Sequence, residues 1–323
     1  MRVLVIGGTL FIGRALVKAL QKAGHRVSVM HRKPSHDLGA RVGNLVADRN
    51  DGKQVRAALA GQRFDAVFDN VYDWERRTTA KQVVATAQAC GDHLTRYVFM
   101  SSVAAYGEGL DHRESDALAP DDHERDYILD KAQSERALFE LHAKGGFPAV
   151  TLRPPYIYGP ENPFYREQFF WDRMRAGRPI LIPGEGERLM QFAYVHDLVS
   201  ACLLALEKPR AVGEAFNIAN PRAVTQRQFV TALTKAAGLK VKRVEVPRNR
   251  IEKAGGNPMG DPMYFGVYLD MPPITQRIDK ARRLLGFRPT AFEEGLRETY
   301  GWYQRKFRGP ELNTEFEEAL MAG

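Results

Sequence analysis

The sequence predicts an α/β protein: a doubly wound, mostly parallel sheet with helices on both faces, and a smaller mixed α/β lobe toward the C-terminus. Three observations carry that prediction. Strand-like and helix-like segments alternate through the first half of the chain. The run Val3-Leu-Val-Ile-Gly-Gly-Thr-Leu-Phe-Ile-Gly13 is an apolar strand that breaks into a glycine turn and then enters a helix. From Pro154 the texture changes, with Pro154, Pro155, Pro160, Pro163, Pro179 and Pro183 falling within thirty residues.

The first strand, 2–6, is β-branched and leucine-rich, as a strand buried on both faces should be. The helix after it has apolar residues at 12, 16, 19, 20 and 23, a helical spacing, and Gly24 supplies a C-terminal stop. His25–Met30 then reads as a second strand, which completes a βαβ unit. Further strands are expected at 44–47, 65–69, 96–101 and 149–153, and helices at 53–61, 76–91 and 124–144. The proline-rich segment reads as loops around a ligand cleft and the start of the second lobe. A helix at 195–208 and a strand at Ala215–Ala219 return to the sheet. A strand at Val241–Val246 and helices near 225–237 and 291–308 build the lobe. The resulting division is 1–160 plus 189–220 for a Rossmann-type cofactor domain and 161–188 plus 221–308 for a substrate lobe. The tail, 309–323, holds Glu311, Glu315, Glu317 and Glu318 and reads as a peripheral helix.

Composition bounds the function. The 323 residues are 44% hydrophobic and 27% charged, an ordinary globular balance. The longest apolar stretch, near Leu198–Leu206, is too short to span a bilayer, and without a targeting segment the chain is expected in the cytoplasm. Cys90 and Cys202 are far apart and read as reduced core residues, neither a disulfide nor a metal site. The net charge of +8 reads mainly as a solvated basic surface, with attraction to an anionic ligand or to nucleic acid as the alternative.

The glycine turn suits a dinucleotide, because backbone must approach a pyrophosphate and the next helix must offer it free N–H groups. Gly7, Thr9, Leu10, Phe11, Ile12 and Gly13 are the candidate contacts. The second strand ends Met30-His31-Arg32-Lys33 with no acidic residue. An acid there would hold a ribose 2′-hydroxyl, whereas an Arg can bind a 2′-phosphate. NADP is therefore expected in preference to NAD, with Arg32 as main contact and His31, Lys33 or Arg14 beside it.

Three later segments point to catalysis. Arg96–Gly107 is a strand ending in the hydroxyl pair Ser101-Ser102. Tyr127 and Lys131, four apart, lie one turn apart on a helix face. Leu152–Pro160 is a strand entering a proline-rich loop. With the glycine turn, Tyr194-Val-His-Asp197 and Leu285-Gly-Phe-Arg-Pro289, these resemble the short-chain dehydrogenase/reductase superfamily in its extended and atypical epimerase/dehydratase branch. The ordered set covers nearly the whole chain.

The resemblance implies a catalytic hydroxyl at Ser102, an acid/base phenol at Tyr127 and its partner ammonium at Lys131. A free Tyr ionises near about pH 10, and a neighbouring cation favours the phenolate. The same resemblance places Asp48 and Arg49 near the adenine, although Asp48 reads equally as a helix N-cap. It places Asn70 and Val71 near a ribose, and Pro154, Tyr156 and Ile157 against the nicotinamide. A homodimer through the helices near 76–91 and 124–144 is a further implication. The expected activity is oxidation, reduction or epimerisation at a hydroxyl- or carbonyl-bearing carbon of a small, sugar-like substrate. Tyr72, Trp74, Tyr106 and Tyr156 are pocket candidates because they follow strand ends. Phe164, Phe169, Phe170, Trp171 and Phe192 fit core and pocket equally.

Three positions depart from the family pattern. Leu10 replaces the middle glycine, the helix near 76–91 lacks an Asn, and Met190 stands where nucleotide-sugar relatives carry an Arg, with Arg188 two residues away. The Gly-Gly-Thr-x-Phe-Ile-Gly turn also resembles the chloroplast stem-loop-binding proteins. That keeps an RNA-binding protein on the same scaffold, and a non-catalytic NADP sensor, as rival readings. Retention of Tyr127 and Lys131 behind Ser102 favours the enzyme.

Overall fold

The computed structural model describes residues 1–91 and 93–322, which divide into two compact units. The first comprises Met1–Pro155, Val195–Ala219 and Gln276–Pro289. Its sheet holds seven strands: β1 (Arg2–Ile6), β2 (Arg26–His31), β3 (Gly43–Val46), β4 (Ala66–Asp69), β5 (Arg96–Met100), β6 (Ala149–Arg153) and β7 (Glu214–Asn217). Every neighbouring pair is parallel, in the order β7-β6-β5-β4-β1-β2-β3. The order reverses between β1 and β4, and Val3 on β1 pairs with Val27 of β2 on one side and Ala66 of β4 on the other. At such a switch the loops beyond the strand ends diverge and leave room for a ligand.

The helices of this unit are α1 (Phe11–Lys22), α2 (Gly52–Leu59), α3 (Ala80–Ala89), α4 (Asp126–Gly145) and α5 (Val195–Glu207). Val3, Leu4, Val5 and Ile6 are wholly buried, as are Val67 and Phe68 on β4, so the apolar runs do form the two-faced core. Cys90 and Cys202 are free and buried, and burial pushes both thiols up to about 12.

Three assignments differ from the sequence expectation. α3 starts at Ala80, not near 76, because Thr79 caps it and the Gln82 side chain accepts the Thr79 N–H at 2.8 Å. Residues before it turn instead around Asp73, whose carboxylate accepts the N–H groups of Glu75 and Arg76. Asp51, not Asp48, caps α2 through bonds from the N–H groups of Lys53 and Gln54. Residues 276–289, read from sequence as part of the smaller lobe, lie in the first unit. There Ala281, Leu285 and Phe287 are buried and Lys280 pairs with Glu214 at 2.6 Å.

The second unit comprises Tyr156–Tyr194, Asn220–Thr275 and Thr290–Gly323. Short parallel strands Tyr156–Tyr158 and Phe192–Tyr194 pair, as do Ile180–Pro183 and Arg243–Val246. Helices Glu167–Arg175, Gln226–Ala237 and Phe292–Lys306 surround them, and the tail forms a helix over Glu315–Ala322. Phe169, Phe170, Trp171 and Phe192 are fully buried, which makes them core, while Phe164 is only half-buried. No helix among the described residues is long and apolar enough to cross a membrane.

Candidate active site

The glycine turn leaves β1 with Gly7 at φ +81° and enters α1 with Gly13 against Gly7. A Cβ on Gly13 would stand 2.0 Å from the Gly7 carbonyl oxygen, a backbone atom that cannot yield, so glycine is obligatory there. Leu10, the residue before α1, is 70% exposed and gives no side-chain cap. Phe11 follows at φ +36° with a buried ring, Ile12 is half-buried, and the Thr9 carbonyl is fixed by Arg14 Nε at 3.1 Å. The first N–H groups of α1 thus have no side-chain cap, the condition for receiving an anion.

At the ends of β2 and β3, charged side chains form a chain of pairs. Arg32 is 69% exposed along its side chain and lies 3.9 Å from Asp73. Arg76 donates to Asp73 at 2.6 Å and to Asp48 at 2.8 Å, and the Arg76 guanidinium holds the Asp48 carboxyl below the usual carboxylate range. Lys33 is exposed, and His31 Nε2 sits 2.7 Å from Asn44 Oδ1. Arg14 reaches Asp37 at 2.5 Å, directing its guanidinium toward the loop after β2. The sequence did not single out Arg76 or Asp73. Their signal is the Asp-x-x-Arg spacing of the turn before α3.

Arg49 goes elsewhere. Its guanidinium is buried, pairs with Asp69, and donates to the Gln82 carbonyl at 2.8 Å and Thr86 Oγ1 at 3.0 Å. Tyr97 donates to the same Asp69 at 2.7 Å. Next along the chain, both polar atoms of the Asn70 amide are buried and lack a hydrogen-bond partner, and Val71 packs its Cγ2 beside Gly7. A buried, unanswered amide at the end of β4 is a polar group waiting for a ligand.

The three expected catalytic residues come from β5 and α4. Ser102 follows β5, is nearly buried, and its Oγ accepts the Ala104 N–H at 3.1 Å. Lys131 is 4% exposed and its Nζ donates to the Met100 carbonyl at 2.7 Å, which ties α4 to the strand end two residues before Ser102. That Nζ lies 5.8 Å from the Tyr127 ring centroid, 5.5 Å from Tyr72 and 4.8 Å from Phe99. Burial lowers the Lys131 ammonium from its ordinary 10.5 to about 8. The Trp74 indole stacks on the Tyr127 ring at 4.8 Å and 21°, and Tyr72 meets that ring edge-on at 4.8 Å and 88°.

Below this layer, Glu135 locks α4 to the sheet. It accepts from Ser101, from Thr151 at 2.7 Å and from Arg153 Nη2 at 2.8 Å. Arg153 also donates to Tyr106 Oη at 2.7 Å, and Tyr106 donates to Asn217 at 2.8 Å. Tyr106 is therefore a buried structural residue and not a pocket wall, contrary to its sequence reading. Pro154 is buried and its carbonyl accepts the Val103 N–H at 3.0 Å, beside Ser102. Tyr156 and Ile157 fall in the second unit, where Tyr156 Oη donates to the Tyr268 carbonyl at 2.8 Å.

The uncapped α1 N-terminus, the close glycine turn and the orphaned Asn70 amide together fit a dinucleotide bound over the ends of β1, β2 and β4. A family model described as the NAD dependent epimerase/dehydratase family matches residues 3–219. This chain belongs to that family. A family relative, the chloroplast stem-loop binding protein of 41 kDa b of Arabidopsis thaliana, is 30% identical over 320 residues, covering 93% of this chain and 78% of that protein. The 3-beta-hydroxysteroid dehydrogenase of Mycolicibacterium neoaurum is 25% identical over 343 residues, covering 95% and 92%. Among solved structures, a UDP-glucuronic acid 4-epimerase from Bacillus cereus in complex with NAD superposes with a TM-score of 0.74 at 21% identity, over 95% of this chain and all of that one. At that identity the likeness is one of fold.

Proposed function

We propose that the chain is an NAD(P)-dependent oxidoreductase or epimerase acting at a hydroxyl- or carbonyl-bearing carbon of a small, sugar-like substrate. The observation that carries this reading is the Lys131 ammonium, buried against the Met100 carbonyl and beneath the Tyr127 ring. A desolvated cation opposes folding, and its proximity to a phenol gives that position a chemical purpose.

The bound cofactor would supply the acceptor or donor of the hydride. Gly7, Gly13 and the N–H groups of Phe11 and Ile12 would hold its diphosphate, and Asn70 and Val71 would lie along its ribose. Tyr127 takes the substrate hydroxyl proton during oxidation and returns one during reduction. The Lys131 charge favours the phenolate that makes this transfer possible. Ser102 Oγ, already oriented by the Ala104 N–H, holds the same substrate oxygen as charge develops on it. For the nucleotide, Arg32 is an exposed cation at the end of β2, a strand end that carries no acidic residue of its own, with Asp73 of the loop after β4 at 3.9 Å. NADP is accordingly the proposed cofactor, with exposed Lys33 adding positive charge nearby.

A second reading has its own support. The Arabidopsis relative is named for stem-loop binding, and this chain carries a net charge of +8. One set of measurements separates the two: mass spectrometry of co-purifying small molecules, NADPH fluorescence enhancement, and salt-dependent RNA retardation. An NADP(H) signal with substrate-dependent change at the reduced-nicotinamide absorbance band supports the enzyme. Tight, salt-sensitive RNA binding with no nucleotide signal would replace it.

A further inference from the structure

The loop between β4 and α3 is fastened to the catalytic helix by one buried carboxylate. Asp130 is 1% exposed and stands between Tyr127 and Lys131 on α4. Its Oδ1 accepts from Arg77 Nη2 at 2.7 Å, and its Oδ2 accepts from Arg77 Nε and from Tyr72 Oη, each at 2.9 Å. A turn earlier on the same helix, Asp126 meets Arg77 Nη1 at 2.7 Å. Arg77 makes these contacts from φ +63°, a left-handed conformation unfavourable for a side-chain-bearing residue. Strain held by a bidentate ion pair marks a place where geometry has been fixed for a purpose.

What the pair fixes is the surroundings of one phenol. Tyr72, anchored by Asp130, stands edge-on to the Tyr127 ring, and Trp74 lies flat on it. We infer that Arg77 and Asp130 are positioning residues for Tyr127, clasping Tyr72 and Trp74 onto its ring and balancing charge beside it. The inference rests on the reading of Tyr127 as the acid/base group.

The charges around that phenol define the test. From α4 come Lys131, Asp130 and Asp126; from the β4–α3 loop come Tyr72 and Arg77. The Asp69–Arg49 pair and Glu135 act on Lys131 from behind. Removing Arg77 leaves the Asp130 charge unopposed and disfavours a phenolate. Removing the Asp130 charge leaves the Arg77 cation and favours one. A clasp with no electrostatic role would move Tyr127 in the same direction whichever half was lost.

The experiment follows the ultraviolet difference spectrum of tyrosinate through a pH titration of the ligand-free protein. Tyr127→Phe identifies the transition belonging to Tyr127. Arg77→Met should raise that midpoint and Asp130→Asn should lower it, each by about one pH unit. The double variant should return toward wild type, and Arg77→Lys, which keeps the cation and is the milder change, should keep the wild-type midpoint. Shifts of the same sign, or none, overturn the inference while leaving the role of Tyr127 standing. A wild-type titration that Tyr127→Phe does not alter would instead remove the catalytic reading itself.

Discussion

Lys131 offers a prediction whose size follows from its surroundings. The ammonium is wholly enclosed, with the Met100 carbonyl as acceptor and the rings of Phe99, Tyr72 and Tyr127 around it. Burial lowers its ionisation from the ordinary 10.5 to about 8. Between those limits the unfolded chain holds a proton that the folded chain has released, so wild-type stability rises with pH through that window. The stabilisation is complete above 10.5 and lost as the pH falls through about 8. The difference amounts to about 3 kcal/mol. In Lys131→Met this contribution is absent, and the loss of the donor to Met100 is the same at every pH. The stability gap between variant and wild type should therefore move by about 3 kcal/mol in favour of the wild type between neutral pH and pH 10.5. Urea unfolding of both proteins at the two pH values, followed by circular dichroism, measures it, and every other titration cancels in the comparison. A gap that stays constant would mean that Lys131 keeps its proton throughout and that its enclosure is not felt as desolvation.

Three more expectations can be checked separately. Arg32→Ala should weaken NADPH binding roughly tenfold to a hundredfold, the range of a lost charge-assisted contact, and leave NADH nearly unchanged in calorimetric titration; equal losses would remove the 2′-phosphate assignment. Gly13→Ala forces a Cβ onto the Gly7 carbonyl and should lower unfolding free energy by about 1–3 kcal/mol even without nucleotide, so an unchanged denaturation midpoint would contradict the turn geometry. Asp69→Asn strips the counter-charge from buried Arg49 and should destabilise by about 3–5 kcal/mol, whereas a loss below about 1 kcal/mol would show that water reaches the pair.

The backbone of this fold was legible because its signals are local. An apolar β-branched run, a glycine turn and a periodic helix each declare themselves within a dozen residues, and α1, α4 and the strands around them lie close to where periodicity puts them. The N-terminus of α3 was less legible, since the stretch before it is held by Asp73, which competes with the helix through its own carboxylate. Ser102, Tyr127 and Lys131, the proposed catalytic set, are named on spacing and resemblance. Their supporting residues could not be named that way. Asp130 sits inside the Tyr-x-x-x-Lys segment in plain view, but its partners Tyr72 and Arg77 lie more than fifty residues away along the chain. Arg49, which the resemblance puts near the adenine, is a different case: only the fold reveals that the buried carboxylate of Asp69 on β4 holds its guanidinium.

The most direct test of the account compares wild type with Tyr127→Phe in a screen of hydroxyl and carbonyl substrates read at the reduced-nicotinamide band. The phenol is assigned to proton transfer and not to nucleotide binding. The variant should therefore bind NADPH as the wild type does while turnover drops to background. Undiminished turnover in the variant, or a wild type inert toward every substrate while binding RNA tightly, would contradict it.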